Sequence, residues 1–157
     1  MSQSRGKQFE VKFKEDWKKS FPGGTIDRLY DNMSGYVAVT NISDFIAYNY
    51  PNIFYIECKS IEGNTFPWSN LSQFEKLKSK IGIKGVRTGV VLWFRDHNKV
   101  WYVPISTIVK MKEEGKKSIN AFKSIKEGYR IVEIPSVPKR IFLDSDYSCL
   151  LNLEEGE

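Results

Sequence analysis

The sequence predicts a mixed α/β (α+β) domain in which helices flank a central mixed sheet. Three observations point there. Phe9, Phe13 and Trp17 recur at helical spacing near the N-terminus. Short apolar runs separated by Pro, Gly and Asn fill the middle of the chain, as strands and turns do. Further amphipathic segments follow the strongest strands, which sets helices beside a sheet instead of in a separate bundle.

In order, residues 3–21 read as a helix ended by Pro22-Gly23-Gly24. After a short irregular stretch, residues 36–40 and 45–48 read as strands, Pro51-Asn52 as a turn, and residues 53–59 as a strand buried on at least one face. A loop holding Phe66-Pro67-Trp68 leads to a second helix from about Asn70, with Leu71, Phe74 and Leu77 inward and Gly82 as its stop. Residues 89–94 and 100–103 form a hairpin through 95–99. A helix at 105–112, a weaker one at 119–126 and a strand at 129–134 complete the pattern. No repeat or low-complexity linker divides the 157 residues, so one domain is expected, with a short flexible start at about 1–4 and an acidic tail at about 152–157.

The bulk properties narrow the function classes. A hydrophobic fraction of 41% is globular, and 24 basic against 19 acidic residues leave +5, compatible with a polyanionic partner without requiring one. Cys58 and Cys149 form no CxxC pair and His97 is the single histidine, which excludes the usual Cys/His zinc sites and histidine triads. Isolated cysteines suit reduced thiols in a cytoplasmic protein, and no run approaches the ~18 apolar residues of a membrane span.

The informative pattern is Ser43-Asp44 followed, thirteen positions after Asp44, by Glu57-Cys58-Lys59. Alternation on a strand puts Glu57 and Lys59 on one face and Phe54, Ile56 and Cys58 on the other. If the strand before Pro51 pairs antiparallel with this one, Asp44 lies beside Glu57. Two carboxylates and a lysine then meet at the rim of a sheet. Hard carboxylate oxygens suit Mg²⁺, which acidifies water and neutralises charge on a phosphate, and an ammonium beside it stabilises the transition state. The competing reading is an ordinary ion pair of Glu57 with Lys59 on a solvated face, worth ~0.2–1 kcal/mol.

Two further residues bear on that choice. Glu10 falls inside the helical arc of Phe9, Phe13, Trp17 and Phe21, where a carboxylate needs a metal or a cation; alternatively it pairs at the helix rim with Lys14. Gln73, on the helix after the Glu-x-Lys strand, is placed to meet a metal-bound water or a phosphate, and equally to form a capping box with Asn70.

These residues together resemble the RecU family of Holliday-junction resolvases, within the PD-(D/E)XK nucleases. Arg5-Gly6-Lys7-Gln8-Phe9-Glu10 is similar to that family's N-terminal Arg-Gly-x-x-x-Glu helix, Ser43-Asp44-Phe45 to its Thr-Asp-Tyr, and Tyr55-Ile56-Glu57-Cys58-Lys59 to its Asp-Phe-Glu-Ala-Lys. Phe66-Pro67 and Gln73 resemble its Ser-Phe-Pro loop and His-x-x-Gln helix. The resemblance implies a restriction-endonuclease-like core, a homodimer, dependence on Mg²⁺ or Mn²⁺, and paired nicks that resolve four-way DNA. It implies metal-ligand roles for Asp44 and Glu57, a role for Lys59 with the attacking water, and supporting roles for Glu10 and Gln73. One departure is clear: the long basic stalk of family members is replaced by residues 21–40, with Arg28 as the single cation.

Arg5, Lys7, Arg28, Lys76 and Lys80 are candidate DNA contacts. The last two belong to a row with Lys78, Lys84 and Arg87 that reads either as a phosphate track or as a solvated helix face. Lys116, Lys117, Lys123 and Lys126 invite the same two readings. Trp68 either stacks on DNA or packs over the core. His97 is expected at the surface and Cys58 in the core. Three functions remain open: a junction-resolving endonuclease, a repair or restriction nuclease on duplex or flapped DNA, and a non-catalytic DNA-binding module of the same fold.

Overall fold

The structure is a computed structural model that describes residues 4–31 and 40–153. The strand expected at 36–40 lies almost wholly outside the described residues, and Thr40 carries no strand. Helix α1 (Arg5–Ser20) begins at Ser4, whose hydroxyl accepts from the Lys7 N–H, and buries Phe9, Phe13, Asp16 and Trp17. Then come β1 (Thr25–Arg28), β2 (Phe45–Asn49), β3 (Asn52–Ile61), β4 (Thr65–Pro67), helix α2 (Phe74–Lys78), β5 (Val86–Phe94) and β6 (Lys99–Pro104). Helix α3 (Ile105–Glu113), β7 (Ser118–Asn120), β8 (Val132–Glu133), β9 (Ser136–Pro138) and β10 (Leu143–Ser145) follow. Among the described residues no helix is long and apolar enough to cross a membrane.

Six strands form a mixed sheet in the order β1-β2-β3-β5-β6-β8, flanked by helices as the sequence predicts. Strand β3 pairs antiparallel with β2 and parallel with β5. Alternation divides its residues between two cores. Phe54, Ile56 and Cys58 join Val91, Trp93, Phe13 and Trp17 in the core under α1, while Ile61, Val90, Leu92 and Phe94 pack with Leu77 and Ile108 of α2 and α3 on the opposite face. A sheet covered on both faces leaves a polar β3 side chain no solvated face, so Glu57 is buried.

Several expectations need correction. Thr25–Arg28, read as irregular, is an edge strand paired with β2; four residues with one buried side chain, Ile26, are too short a pattern to stand out from the glycines before them. The second helix shrinks to Phe74–Lys78, because Trp68–Asn70 is already a separate 3-10 turn. That also removes the capping box: Gln73 itself occupies the cap position, without a side-chain capping bond. The weak helix at 119–126 is instead β7 followed by turns. Asn120 pairs with Thr65 of β4, and its Oδ1 accepts from the N–H groups of Phe122 (2.8 Å) and Lys123 (3.1 Å). That local capture of backbone donors competes with helix continuation. The strand at 129–134 reduces to Val132–Glu133 at the sheet edge.

Candidate active site

Strand pairing builds the site. Phe45 lies opposite Ile56, so Asp44, one residue before β2, comes beside Glu57. Asp44 Oδ2 accepts from the Cys58 backbone N–H at 2.9 Å, which holds its carboxylate on the strand that carries Glu57 and Lys59. The Lys59 charge acts on both Glu57 and Glu10, drawing each carboxyl's pKa downward. Strand alternation puts Lys59 on the same face of β3 as Glu57.

Glu57 is 1% exposed, and its Oε2 is buried without a donor. Burial, then a hydrogen bond and the charge of Asp44, push its carboxyl up to about 10, against the pull of Lys59. The protonated group bonds to Asp44; the charged group leaves an unsatisfied oxygen in a crowded acidic place. Cys58, the core thiol the sequence predicts, is raised well above the ordinary range by burial and by the carboxylates of Asp44, Glu57 and Glu10.

Arg28 supplies a cation that sequence reasoning assigned to DNA. Its Nε donates to Glu10 Oε2 at 3.0 Å, and its NH2 lies 3.4 Å from Asp44 Oδ1. NH1 donates to the carbonyls of Asp44 (3.1 Å) and Leu29. Its pKa is raised: burial opposes the charge, and the carboxylates of Asp44 and Glu10 more than offset it. Glu10 is accordingly half-buried against Arg28 and makes no pair with Lys14. Its own pKa stays raised by burial and by Asp44, despite Arg28. Among the described residues, no three His, Cys, Asp or Glu side chains converge as a cation site, and the Arg28 guanidinium contacts both Glu10 and Asp44. The signal in the sequence was Arg28 on Thr25-Ile26-Asp27-Arg28, legible only to a reader who takes those four residues as a strand beside Phe45.

The other predicted residues sort by exposure. Trp68 is 3% exposed and packs edge-on against Phe66, so it does not stack on DNA; a buried indole has no face to offer. Gln73 accepts from the Ser72 hydroxyl at 3.0 Å and has no bond to the acidic cluster among the described residues. Arg87 is buried and donates to the Leu153 carbonyl, which removes it from the basic row. Lys76 is bonded to Thr40 through both the carbonyl and the hydroxyl, at 2.6 Å each, and Lys80 sits over the Tyr55 ring. Arg5 bonds to Gln8 and lies over Phe142, while Lys7 is exposed. His97 is half-buried in the turn between β5 and β6 and bonds to Asn64.

A paired Asp and Glu at the end of a two-stranded junction, with a lysine on the same strand as the Glu, is the arrangement expected from the motif. The family model for RecU, recombination protein U, matches residues 17–144. The chain belongs to the RecU family. Membership brings a recombination role of the Holliday-junction-resolving kind, hence nuclease chemistry and binding to branched DNA. The matched span covers Arg28, Asp44, Glu57, Lys59 and Gln73; Glu10 precedes it. A comparison with individual curated proteins returned no match.

Proposed function

We propose that this RecU family member is a Mg²⁺-dependent (or Mn²⁺-dependent) endonuclease that acts as a homodimer and resolves four-way junctions by paired nicks, with Asp44, Glu57 and Lys59 at its centre. The single observation that carries the reading is buried Glu57 paired with part-buried Asp44, with one carboxylate oxygen of Glu57 left without a donor. A hard divalent cation fits such a donor set: it would satisfy Glu57 Oε2 and offset two like charges that burial makes costly.

Asp44 and Glu57 would hold the ion, whose chemistry is to acidify water and neutralise charge on the scissile phosphate. Asp44 is held ready by the Cys58 N–H, so it binds without rearranging its strand end. Lys59 orients the attacking water and stabilises negative charge as it develops on the phosphate. Glu10 is a supporting carboxylate, held in place by Arg28. Gln73, half-buried at the start of α2, serves at the margin by contacting substrate. The family's paired nicks need two such centres, which is why two copies are part of the reading.

The test is a cleavage assay on a four-way junction with a mobile core, with Mg²⁺, beside an Asp44→Asn control. Cleavage should fall at least about 100-fold in the variant while junction binding persists. Equal cutting of linear duplex and junction would favour the repair or restriction reading, and no cutting with any divalent metal would leave only DNA binding.

A further inference from the structure

A groove of about 500 Å³ runs along the outer side of α1, lined among others by Lys7, Lys14, Lys18, Arg28 and Tyr30. We infer that it takes one strand of DNA, with phosphates on Lys7, Lys14 and Lys18 and a base on the ring of Tyr30. The inference rests on the nuclease reading above and adds to it the path of a strand and a residue that reads it.

Continuity is the first support. Glu10 and Arg28 line the groove and belong to the acidic cluster, so a strand lying in it runs directly to the carboxylates. Charge is the second. At 100° per residue, positions 7, 14 and 18 fall within about 40° of one another, so the three lysines form a single stripe. None of the three has a carboxylate partner among the described residues, while Lys12 of the same helix bonds to Asp16 and Asp144. With Arg28 occupied by Glu10, three free ammonium groups face one remaining acid, Glu15, and a polyanion is the occupant that suits them.

Tyr30 is the third. Its side chain is 77% exposed, yet its backbone is anchored. Asn41 Nδ2 donates to the Tyr30 carbonyl at 2.5 Å, Asp31 accepts from the Asn41 N–H at 2.7 Å, and the Leu29 N–H donates to Asp44 at 2.7 Å. Arg28 lies over the ring, 5.1 Å from its centroid. An exposed aromatic on a held backbone, braced by a guanidinium, is a stacking platform. Stacking needs a base free of its duplex, so the occupant is a single strand, as at an opened junction core.

The test measures binding without divalent metal to a labelled oligothymidylate and to a duplex of the same length. Tyr30→Ala should weaken oligothymidylate binding at least fivefold, with Tyr30→Phe retaining it. Lys14→Ala with Lys18→Ala should make the dependence of log affinity on log salt shallower by about 1.4. Matching melting temperatures establish that these surface variants are folded. Unchanged oligothymidylate binding, or losses confined to duplex, would overturn the inference. If the unmutated protein cuts junctions while the variants bind and cut as it does, the groove alone is rejected; if it neither binds nor cuts DNA, the nuclease reading falls as well.

Discussion

Asp44 Oδ2 and the backbone N–H of Cys58 meet at 2.9 Å, so the carboxylate just before one strand is held by the residue between Glu57 and Lys59 on the next. That bond ties the two halves of the motif together before any ligand arrives. Its consequence is a concentration of acidic groups in a place that water scarcely reaches, and the Glu57 and Arg28 predictions follow from how the fold tolerates it.

Glu57→Gln should stabilise the metal-free protein at pH 8 by about 1–3 kcal/mol, since folding no longer has to take up the proton that keeps the buried Glu57 carboxyl neutral beside Asp44. The Glu57 carboxyl rises to about 10 in the fold from an ordinary 4.5. A group raised in this way contributes its full stability below pH 4.5 and loses it as the pH climbs toward 10. The advantage of the variant should therefore vanish near pH 4.5. Mg²⁺ should raise the melting temperature of the unmutated protein and leave that of the variant unmoved. Urea titrations at the two pH values read the first two effects, and thermal melts with and without Mg²⁺ read the third.

Arg28→Gln should cost about 1–2 kcal/mol in urea unfolding, because Glu10 and Asp44 lose a partly buried counter-charge. The salt dependence of junction binding should change by much less than one phosphate contact would give, since the guanidinium is committed to carboxylates. A full unit of change in that slope would return Arg28 to the role of a phosphate contact.

Trp68→Phe tests whether the indole is a packing group of the core. It should lower stability by about 1–2 kcal/mol, the effect of a smaller ring in a filled site. Junction affinity should stay within twofold, as expected for a side chain without a face toward DNA. A large loss of affinity in a fully folded variant would restore the stacking role.

Gly89→Ala should destabilise by about 1–3 kcal/mol. Gly89 lies on β5 against the ring of Tyr102, and an added methyl would overlap that ring. Thermal unfolding measures the effect. Tyr102→Ala in the same background should recover part of the Gly89→Ala loss, because removing the ring gives the methyl room.

By itself the sequence determined the fold class, helix α1, strands β2, β3, β5 and β6, helix α3, and the placing of Asp44 beside Glu57. Each of those rests on a local period or on a turn between neighbouring strands, and such patterns survive without knowledge of distant contacts. Only the tertiary structure decided what surrounds the acids. That Arg28 contacts both Glu10 and Asp44 depends on edge strand β1 docking beside β2, and that Trp68 and Arg87 are buried depends on elements that arrive from far along the chain. Side-chain chemistry names the groups able to act, whereas the charge each one meets is set by residues that packing alone brings near.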